Sequence, residues 1–258
     1  MIKVLLTGAN GQLGHFVQKH APEFETIELI AYGRETIDLS ELKSLKNTIL
    51  SFKPDVVING AAYTAVDKAE EEKDLAMLIN GHAVGEIAKA CEEINASLIH
   101  ISTDYVFDGT KTGGYDTTDI TCPVNHYGAT KLKGEELALQ YCSRCMIVRT
   151  SWVHSEFGTN FETTMKRLFK ERKTLKVIND QIGKPTHATI LAQHCLKLAL
   201  QHPISSKITH YCGPEIMTWY DFANKLLSQT NSPVTKEILP IPTSEYPTPA
   251  KRPANSVL

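Results

Sequence analysis

The sequence contains no long uninterrupted hydrophobic run. Its longest stretch without Lys, Arg, Asp or Glu extends from Val4 to Gln18, and that stretch is broken by three glycines and several polar residues. A membrane-spanning helix needs about 20 predominantly apolar residues, so this stretch cannot cross a bilayer. No signal peptide is expected either, because Met1 leads almost directly into a short apolar run that ends at a glycine-rich turn.

An excess of charge of one sign is also missing. The 27 Lys and Arg residues face 29 Asp and Glu residues, which gives a formal net charge of −2. Proteins that bind nucleic acids or anionic membranes usually carry a basic excess. Neither kind of partner is therefore expected.

The cysteines lack the spacing of a disulfide framework or of a zinc site. They stand at positions 91, 122, 142, 145, 195 and 212. Cys142 and Cys145 form a Cys-x-x-Cys, but it lies where a predicted helix leads into a strand, the reverse of the order in redox motifs. No second Cys or His pair has zinc-ligand spacing, so we predict no metal site. Scattered cysteines suit a reducing compartment, which indicates a cytoplasmic protein.

Three common catalytic motifs are absent. The ten histidines include no His-Glu-x-x-His, and there is neither a Gly-x-Ser-x-Gly turn nor a Gly-Lys-Thr phosphate loop. A hydrolase would lack its nucleophile and an NTPase its phosphate-binding lysine. Neither class is expected.

What the sequence does contain is a regular alternation of apolar strand-like runs and helix-like segments. The predicted strands are 2–7, 26–32, 55–59, 97–102 and 145–149, and the predicted helices are 11–20, 40–52, 75–94 and 123–141, with Ser40 as an N-cap. Near-continuous apolar strands separated by helices are typical of a parallel sheet covered on both faces. The predicted fold class is α/β, with a doubly wound parallel sheet of the Rossmann type and a small C-terminal lobe.

A glycine-rich turn connects the first predicted strand to the first helix. Gly8, Gly11 and Gly14 form the pattern Gly-x-x-Gly-x-x-Gly there. Such glycines allow a tight turn and the close approach of a pyrophosphate, whose charge is met by backbone N–H groups and the helix N-terminus. A glycine-rich turn without a ligand is the alternative. The strand-turn-helix context favours a dinucleotide site.

The rhythm loosens after residue 149, where glycines and prolines such as Gly158, Gly183 and Pro233 separate shorter pieces. We predict a dinucleotide-binding domain over 1–150 and, over 151–258, mainly a smaller substrate-binding lobe packed on it. Five of the twelve prolines fall between residue 240 and the end. Since proline fits poorly into helices and sheet interiors, this tail is expected to be an ordered, extended surface segment.

The end of the second strand bears on the choice of cofactor. An acidic residue about 20 residues past the glycines would bind a ribose 2′-hydroxyl, but the sequence has Gly33 and Arg34 there. Arg34 can instead hold a 2′-phosphate, which favours NADPH; a solvated surface arginine is the alternative. Asp38 follows slightly later and leaves room for NADH.

Tyr127 is the one tyrosine with a lysine four residues on, Lys131. On a helix this spacing places both side chains on one face. A cation beside a tyrosine stabilises the phenolate and lowers the pKa of the phenol, so the pair could pass a proton to a carbonyl. An ordinary helix-surface pair is the alternative. The glycine turn upstream, and Thr103 at the carboxyl end of a predicted strand, favour catalysis.

The sequence resembles the extended short-chain dehydrogenase/reductase superfamily and, within it, the dTDP-4-dehydrorhamnose reductases. The resembling segments are TGANGQLG at 7–14, PDVVINGAAYTAVDKAE at 54–70, HISTDYVFDG at 100–109, YGATKLKGE at 127–135, RTSWV at 149–153, NDQIGKPT at 179–186, TWYDFA at 218–223 and EYPTPAKRPANSVL at 245–258. The last four segments are more specific to these reductases than the superfamily motifs are.

The resemblance implies roles for particular residues. The implied cofactor contacts are Gly8, Asn10, Gly11, Gln12, Leu13 and Gly14 at the pyrophosphate, Asp38 and Leu39 at the adenine, and Ala61, Ala62 and Tyr63 farther along. Thr103 would hydrogen-bond the substrate carbonyl, Tyr127 would give the proton, and Lys131 would bind the nicotinamide ribose. The implied substrate contacts are Val66, Asp104, Tyr105 and Trp152, although Tyr105 and Trp152 could instead be core aromatics.

The implied reaction is the NADPH-dependent reduction of the C4 keto group of dTDP-4-dehydro-6-deoxy-L-mannose to dTDP-L-rhamnose, with NADH as a second cofactor. The expected partner is this nucleotide sugar, and the sequence leaves open whether the protein forms a homodimer. Two alternatives remain. One is a non-catalytic NAD(P)-binding regulatory subunit, and the other is a reductase or epimerase of another nucleotide-linked 4-keto sugar.

Some positions depart from the family pattern. His15 replaces a glutamate that several members associate with magnesium at a dimer interface, so neither that metal nor that dimer is carried over. His154 replaces an aromatic residue and Gly60 an alanine, which is expected to alter substrate fit. The sequence also stops at Leu258, so a final packing helix is expected to be missing.

Overall fold

The computed structural model describes residues 1–230 and 234–258, so the predicted break at Pro233 lies outside the described residues. The strands are β1 (Ile2–Thr7), β2 (Ile27–Tyr32), β3 (Val56–Asn59), β4 (Ser97–Thr103), β5 (Cys145–Thr150), β6 (Val153–His154), β7 (Thr174–Ile178), β8 (Ile182–Gly183), β9 (Thr186–His187), β10 (Lys207–His210), β11 (Met217–Thr218), β12 (Glu237–Ile241) and β13 (Asn255–Ser256). The α-helices are α1 (Gln12–His20), α2 (Leu42–Phe52), α3 (Lys73–Met77), α4 (Ala83–Glu93), α5 (His126–Tyr141), α6 (Phe161–Glu171), α7 (Ala188–Ala199) and α8 (Trp219–Ser228).

The large sheet is parallel, with the strand order β10-β5-β4-β3-β1-β2. Because successive side chains of a strand point to opposite faces, Leu5 and Leu6 enter different cores. Leu6 packs with Phe16 of α1 and Leu191 of α7, whereas Leu5 packs with α2 and α4. Burying a leucine side chain contributes about 1.5–3 kcal/mol, so both layers stabilise the sheet. The predicted doubly wound α/β fold is confirmed.

Three predicted helix starts differ from the structure by two or three residues. The second helix starts at Leu42 rather than at Ser40, because the Ser40 hydroxyl and N–H both donate to the Asp38 carboxylate, at 2.7 and 2.8 Å. The predicted helix 75–94 begins at Lys73 and contains a π-helical turn between α3 and α4. The fifth helix starts at His126, three residues late, where the Asn125 side chain caps it.

The smaller lobe is formed by residues that follow β5. Its parallel pair β7 and β12 packs under α6 and α8, with Phe169, Phe222 and Leu226 in the core. The chain also returns to the large sheet, since α7 packs on α1 and β10 pairs with β5. Residues 151–258 therefore contribute to both parts of the molecule.

The C-terminal tail from Pro240 includes the end of β12, a 3₁₀ turn at Thr243–Glu245 and strand β13, and only part of it lies on the surface. Residues 242–249 are mostly exposed, whereas Val257 and Leu258 are buried. The Asn125 amide donates to the Lys251 carbonyl and the Lys184 ammonium to the Leu258 carbonyl, both at 2.7 Å. The expectation of a surface segment is wrong for these last residues, because the tail fills the gap between the large sheet and the lobe.

None of the helices in the described part of the chain combines the length and the apolarity that a bilayer crossing requires.

Candidate active site

A cleft of ≈ 920 Å³ opens where the strands of the large sheet end. Strand β1 lies between β2 and β3, so the connections that follow β1 and β2 run in opposite directions from it. In open α/β sheets ligands bind at such a switch point, beyond the carboxyl ends of the strands. Thr103 and Thr150, the last residues of β4 and β5, line the cleft.

The structure brings nearly all of the predicted site residues together. The predicted residues that line the cleft are Gly8, Asn10, Gly11, Gln12, Leu13, Arg34, Asp38, Leu39, Ala61, Ala62, Tyr63, Val66, Thr103, Asp104, Tyr105, Tyr127, Lys131 and Trp152. Gly14 is the exception. It lies buried beneath the turn, where a Cβ would stand 2.1 Å from the Gly8 carbonyl oxygen. Gly14 therefore lets α1 approach the turn rather than touching a ligand.

The glycine turn leaves backbone donors available to an anion. Helix α1 begins after Gly11 without a side-chain cap, in contrast to α5 and α6, whose first N–H groups are bound by Asn125 and Asn160. Uncapped N–H groups and the helix dipole favour a negative charge. The turn therefore fits the pyrophosphate of a dinucleotide.

Sequence reasoning missed a loop that covers this turn. The Gln12 side-chain oxygen accepts hydrogen bonds from Ser155 Oγ and Asn160 Nδ2, both at 2.9 Å. Phe157 of the same loop lines the cleft, and its ring stacks on His15 at 4.0 Å. His15 thus packs against the loop at the position where the resemblance predicts a glutamate. A contact between positions this far apart in sequence leaves no local signal.

The end of the cleft beyond β2 contains both a cation and an acid. Arg34 Nε donates to the Asp38 carboxylate at 3.0 Å, and the Arg34 side chain is 76% exposed. Hydrogen bonds from Ser40 lower the pKa of Asp38, with Arg34 adding to the effect. Glu35 is a second acid close to this end of the cleft, and its carboxylate lies 3.4 Å from Asn10 Nδ2 of the glycine turn.

Tyr127 sits in the first turn of α5, held close to the end of β4. The Asn125 side chain accepts from the Gly128 N–H at 2.8 Å and fixes the start of the helix. A Cβ on Gly128 would stand 2.2 Å from the Tyr105 carbonyl oxygen, so only glycine allows this approach. The rings of Tyr105 and Tyr127 meet edge to face at 5.7 Å. Thr103 Oγ1 at the end of β4 donates to Asp104 Oδ1 at 2.8 Å and accepts from the Tyr105 N–H at 3.2 Å.

The proton affinities differ from the expectation for a tyrosine beside a lysine. Burial raises the pKa of Tyr127 and the negative charge of Asp104 raises it further, while the hydrogen bond with Thr103 acts in the opposite direction. Burial lowers the pKa of Lys131 to about 8, against the charge of Glu135. The predicted lowering of the Tyr127 pKa by Lys131 is therefore not seen. A phenol that stays protonated at neutral pH suits a proton donor.

Polar and aromatic groups form the far end of the cleft. Burial raises the pKa of Asp104 to about 6, although hydrogen bonding by Ser256 and Thr103 acts in the opposite direction. Trp152 has a left-handed backbone, with φ of 48°, and its ring stacks on Trp219 at 3.5 Å. Trp219, which also lines the cleft, was missed although it belongs to the quoted segment TWYDFA. Non-glycine residues with positive φ are uncommon and tend to cluster at functional sites.

Within residues 1–230 and 234–258 no group of three or more His, Cys, Asp or Glu side chains could hold a metal ion. His154 pairs with an acid of the smaller lobe, since its Nδ1 lies 2.7 Å from the Glu162 carboxylate. That bond lowers the pKa of Glu162 to about 2.

The family profile described as the RmlD substrate binding domain matches residues 2–258. The chain belongs to this family. A dTDP-4-dehydrorhamnose reductase of Salmonella typhimurium is 43% identical, with 100% of this chain and 89% of that protein covered. The predicted resemblance of this chain to the dTDP-4-dehydrorhamnose reductases is confirmed.

Solved structures agree with the family. A dTDP-4-dehydrorhamnose reductase from Bacillus anthracis, solved in complex with NADP, superimposes with a TM-score of 0.94 at 36% identity, covering 100% of this chain and 90% of that chain. One from Clostridium acetobutylicum gives 0.94 at 39% identity with the same coverage.

Proposed function

We propose that the protein reduces the C4 keto group of dTDP-4-dehydro-6-deoxy-L-mannose to give dTDP-L-rhamnose, with NADPH as the preferred cofactor and NADH as a second one. The carrying observation is that Thr103, Tyr127 and Lys131 converge on one cleft beside an uncapped glycine turn. We place the reaction in the cytoplasm, where the six free cysteines would stay reduced.

The residues of the cleft have separate tasks in this reaction. NADPH, when bound, supplies the hydride. Thr103 and Tyr127 hold the substrate carbonyl oxygen by hydrogen bonds, and Tyr127 Oη gives its proton to that oxygen as the hydride arrives at C4. The carbonyl thereby becomes a hydroxyl group and Tyr127 becomes a phenolate, while Lys131 on the same face of the helix binds the nicotinamide ribose.

The substrate is held by the far end of the cleft. Asp104 lines this end of the cleft, where its carboxylate can accept a hydrogen bond from a sugar hydroxyl. The stacked rings of Trp152 and Trp219 offer a flat apolar surface to the nucleotide sugar.

The test is incubation of the purified protein with the keto-sugar nucleotide and NADPH, followed by NMR of the product. Oxidation of NADPH with formation of dTDP-L-rhamnose is the expected result. Cofactor binding without turnover would indicate a regulatory subunit instead. Isomerisation without consumption of NADPH would indicate an epimerase.

Arg34 is predicted to select NADPH over NADH. Arg34→Asp removes a cation from the adenosine end and adds a like charge, so NADPH binding should weaken by about 1.5–3 kcal/mol while NADH binding is spared. Dissociation constants from fluorescence titration measure both. Arg167→Asp, at an exposed position of α6, is the matched control and should alter neither. Equal losses for the two cofactors would show that Arg34 does not contact the 2′-phosphate.

Turnover is predicted to need no metal ion. The initial rate should be the same after dialysis against EDTA as before it. A loss of rate that magnesium restores, and that sodium chloride of matched ionic strength does not, would contradict this prediction.

A further inference from the structure

Beneath Lys131 lies a row of buried polar side chains that the reaction above does not use. Thr7, Asn59 and His100 stand at directly paired positions of β1, β3 and β4, so their side chains follow one another across the sheet. Thr7 Oγ1 donates to Asn59 Oδ1 at 2.6 Å, and Asn59 Nδ2 lies 3.0 Å from His100 Nδ1. All three side chains are at most 1% exposed.

The row ends at Lys131. Its Nζ donates to the Ile101 carbonyl at 2.7 Å and lies 3.4 Å from His100 Nε2. An ammonium has three N–H groups. One of them is directed at the Ile101 carbonyl and, when Nε2 carries no proton, a second points at the imidazole, so the third is left for the cleft that Lys131 lines. The imidazole and the carbonyl thus fix the direction in which Lys131 presents its charge.

His100 is held uncharged. Burial, and secondly the positive charge of Lys131, keep the pKa of His100 well below its usual value. Of the charged groups on the neighbouring elements, Lys131 faces the imidazole, and the buried Glu135 of α5 and Arg149 of β5 are paired with each other. Thr7 and Asn59, on the remaining side, carry no charge. The Nε2 atom of a neutral imidazole can accept a hydrogen bond from an ammonium group.

The row can satisfy both protonation states of Lys131. When Lys131 is uncharged, Nε2–H donates to Nζ and Nδ1 accepts from the Asn59 amide. When Lys131 is charged, Nε2 accepts and Nδ1–H donates to the amide oxygen of Asn59, which requires the Asn59 amide to be turned over from the orientation in which Nδ2 faces Nδ1. The amide nitrogen then donates to Thr7, whose hydroxyl can either donate or accept.

We propose that His100 is a positioning residue, which acts through Lys131 by accepting a hydrogen bond from its ammonium, with Asn59 fixing the ring tautomer. This inference rests on the proposed reduction for its functional meaning. His100 and Thr103 both belong to β4. The same strand would therefore position Lys131 and contact the substrate carbonyl.

The first test uses the wild-type protein. With ¹³C-labelled lysine and ¹⁵N-labelled histidine, NMR follows the ε-carbon of Lys131 and the ring nitrogens of His100 against pH. The His100 signals are expected to move with the same midpoint as Lys131, because the tautomer follows the lysine. His100 nitrogen shifts that stay constant through the Lys131 titration would overturn the proposal.

The second test compares His100→Asn with His100→Gln, which differ by one methylene. Asparagine can meet Asn59 but is too short for Lys131, whereas glutamine can reach Nζ. Loss of an acceptor disfavours the ammonium, so the Lys131 midpoint should fall by about one pH unit in His100→Asn and stay near wild type in His100→Gln. Equal midpoints in the two variants would contradict the role, since a merely structural histidine would not separate them.

Activity gives an independent measurement. The alkaline limb of the kcat profile should move to lower pH in His100→Asn by the same amount as the NMR midpoint, with little change in KM. The two proposals fail separately. If the protein does not reduce the keto sugar but shows the coupled titration, only the proposed function is refuted. If the protein reduces the keto sugar but the titrations of His100 and Lys131 are uncoupled, only the proposed role of His100 is refuted.

Discussion

Tyr127→Phe is expected to lower kcat for the keto-sugar nucleotide by about 10²- to 10⁴-fold, the range that general acid catalysis typically supplies. The phenylalanine ring still fills the space against Tyr105, so folding and NADPH binding should change little. The proton donor, however, is removed. KM should change only modestly, because the lost interaction acts mainly in the transition state.

Steady-state kinetics with NADPH and the keto-sugar nucleotide measure this effect. Tyr141→Phe, at the other end of the same helix, is the matched control and should keep wild-type kcat, because Tyr141 does not line the cleft. If Tyr127→Phe retains more than about a tenth of wild-type kcat while chemistry is rate-limiting, the proton comes from another group.

The parts of the fold that follow from local pattern were predictable. Strand β1 has the predicted bounds, because an apolar run that ends at glycines leaves little freedom. The paths of α7 and β10 were not predictable, since their return to the large sheet depends on which surfaces remain uncovered. The prediction of an exposed tail was wrong at its last residues for a related reason. Proline content disfavours regular structure but does not determine burial.

The site divides in the same way. The placement of Tyr127 and Lys131 follows from a spacing of four residues on one helix. The row of Thr7, Asn59 and His100 depends on strand register, which the sequence does not state. Its only signal is a polar residue inside or at the end of each apolar run, and such residues become informative once the register aligns them.

Arg149→Met is expected to lower the free energy of unfolding by about 3–5 kcal/mol, because it leaves a buried carboxylate without its partner. Glu135 and Arg149 are 2% and 3% exposed, and Arg149 Nη2 donates to Glu135 Oε2 at 2.6 Å. Ser102 Oγ donates to the other carboxylate oxygen at 2.5 Å. The group therefore ties the end of β4 to α5 and β5, one helical turn beyond Lys131.

Urea unfolding of matched variants measures this contribution. Arg167→Met breaks an ion pair with Glu171 whose side chains are 61% and 47% exposed, so its cost should stay within about 0–1 kcal/mol. The double variant Arg149→Met with Glu135→Leu should be more stable than Arg149→Met alone, because it removes the uncompensated charge as well. If Arg149→Met costs no more than Arg167→Met, the carboxylate has found another partner or a proton, and the buried pair does not hold α5 against the sheet. A large loss that the double variant recovers in part would instead assign the cost to the stranded charge of Glu135, four residues from Lys131 on the helix that also carries Tyr127.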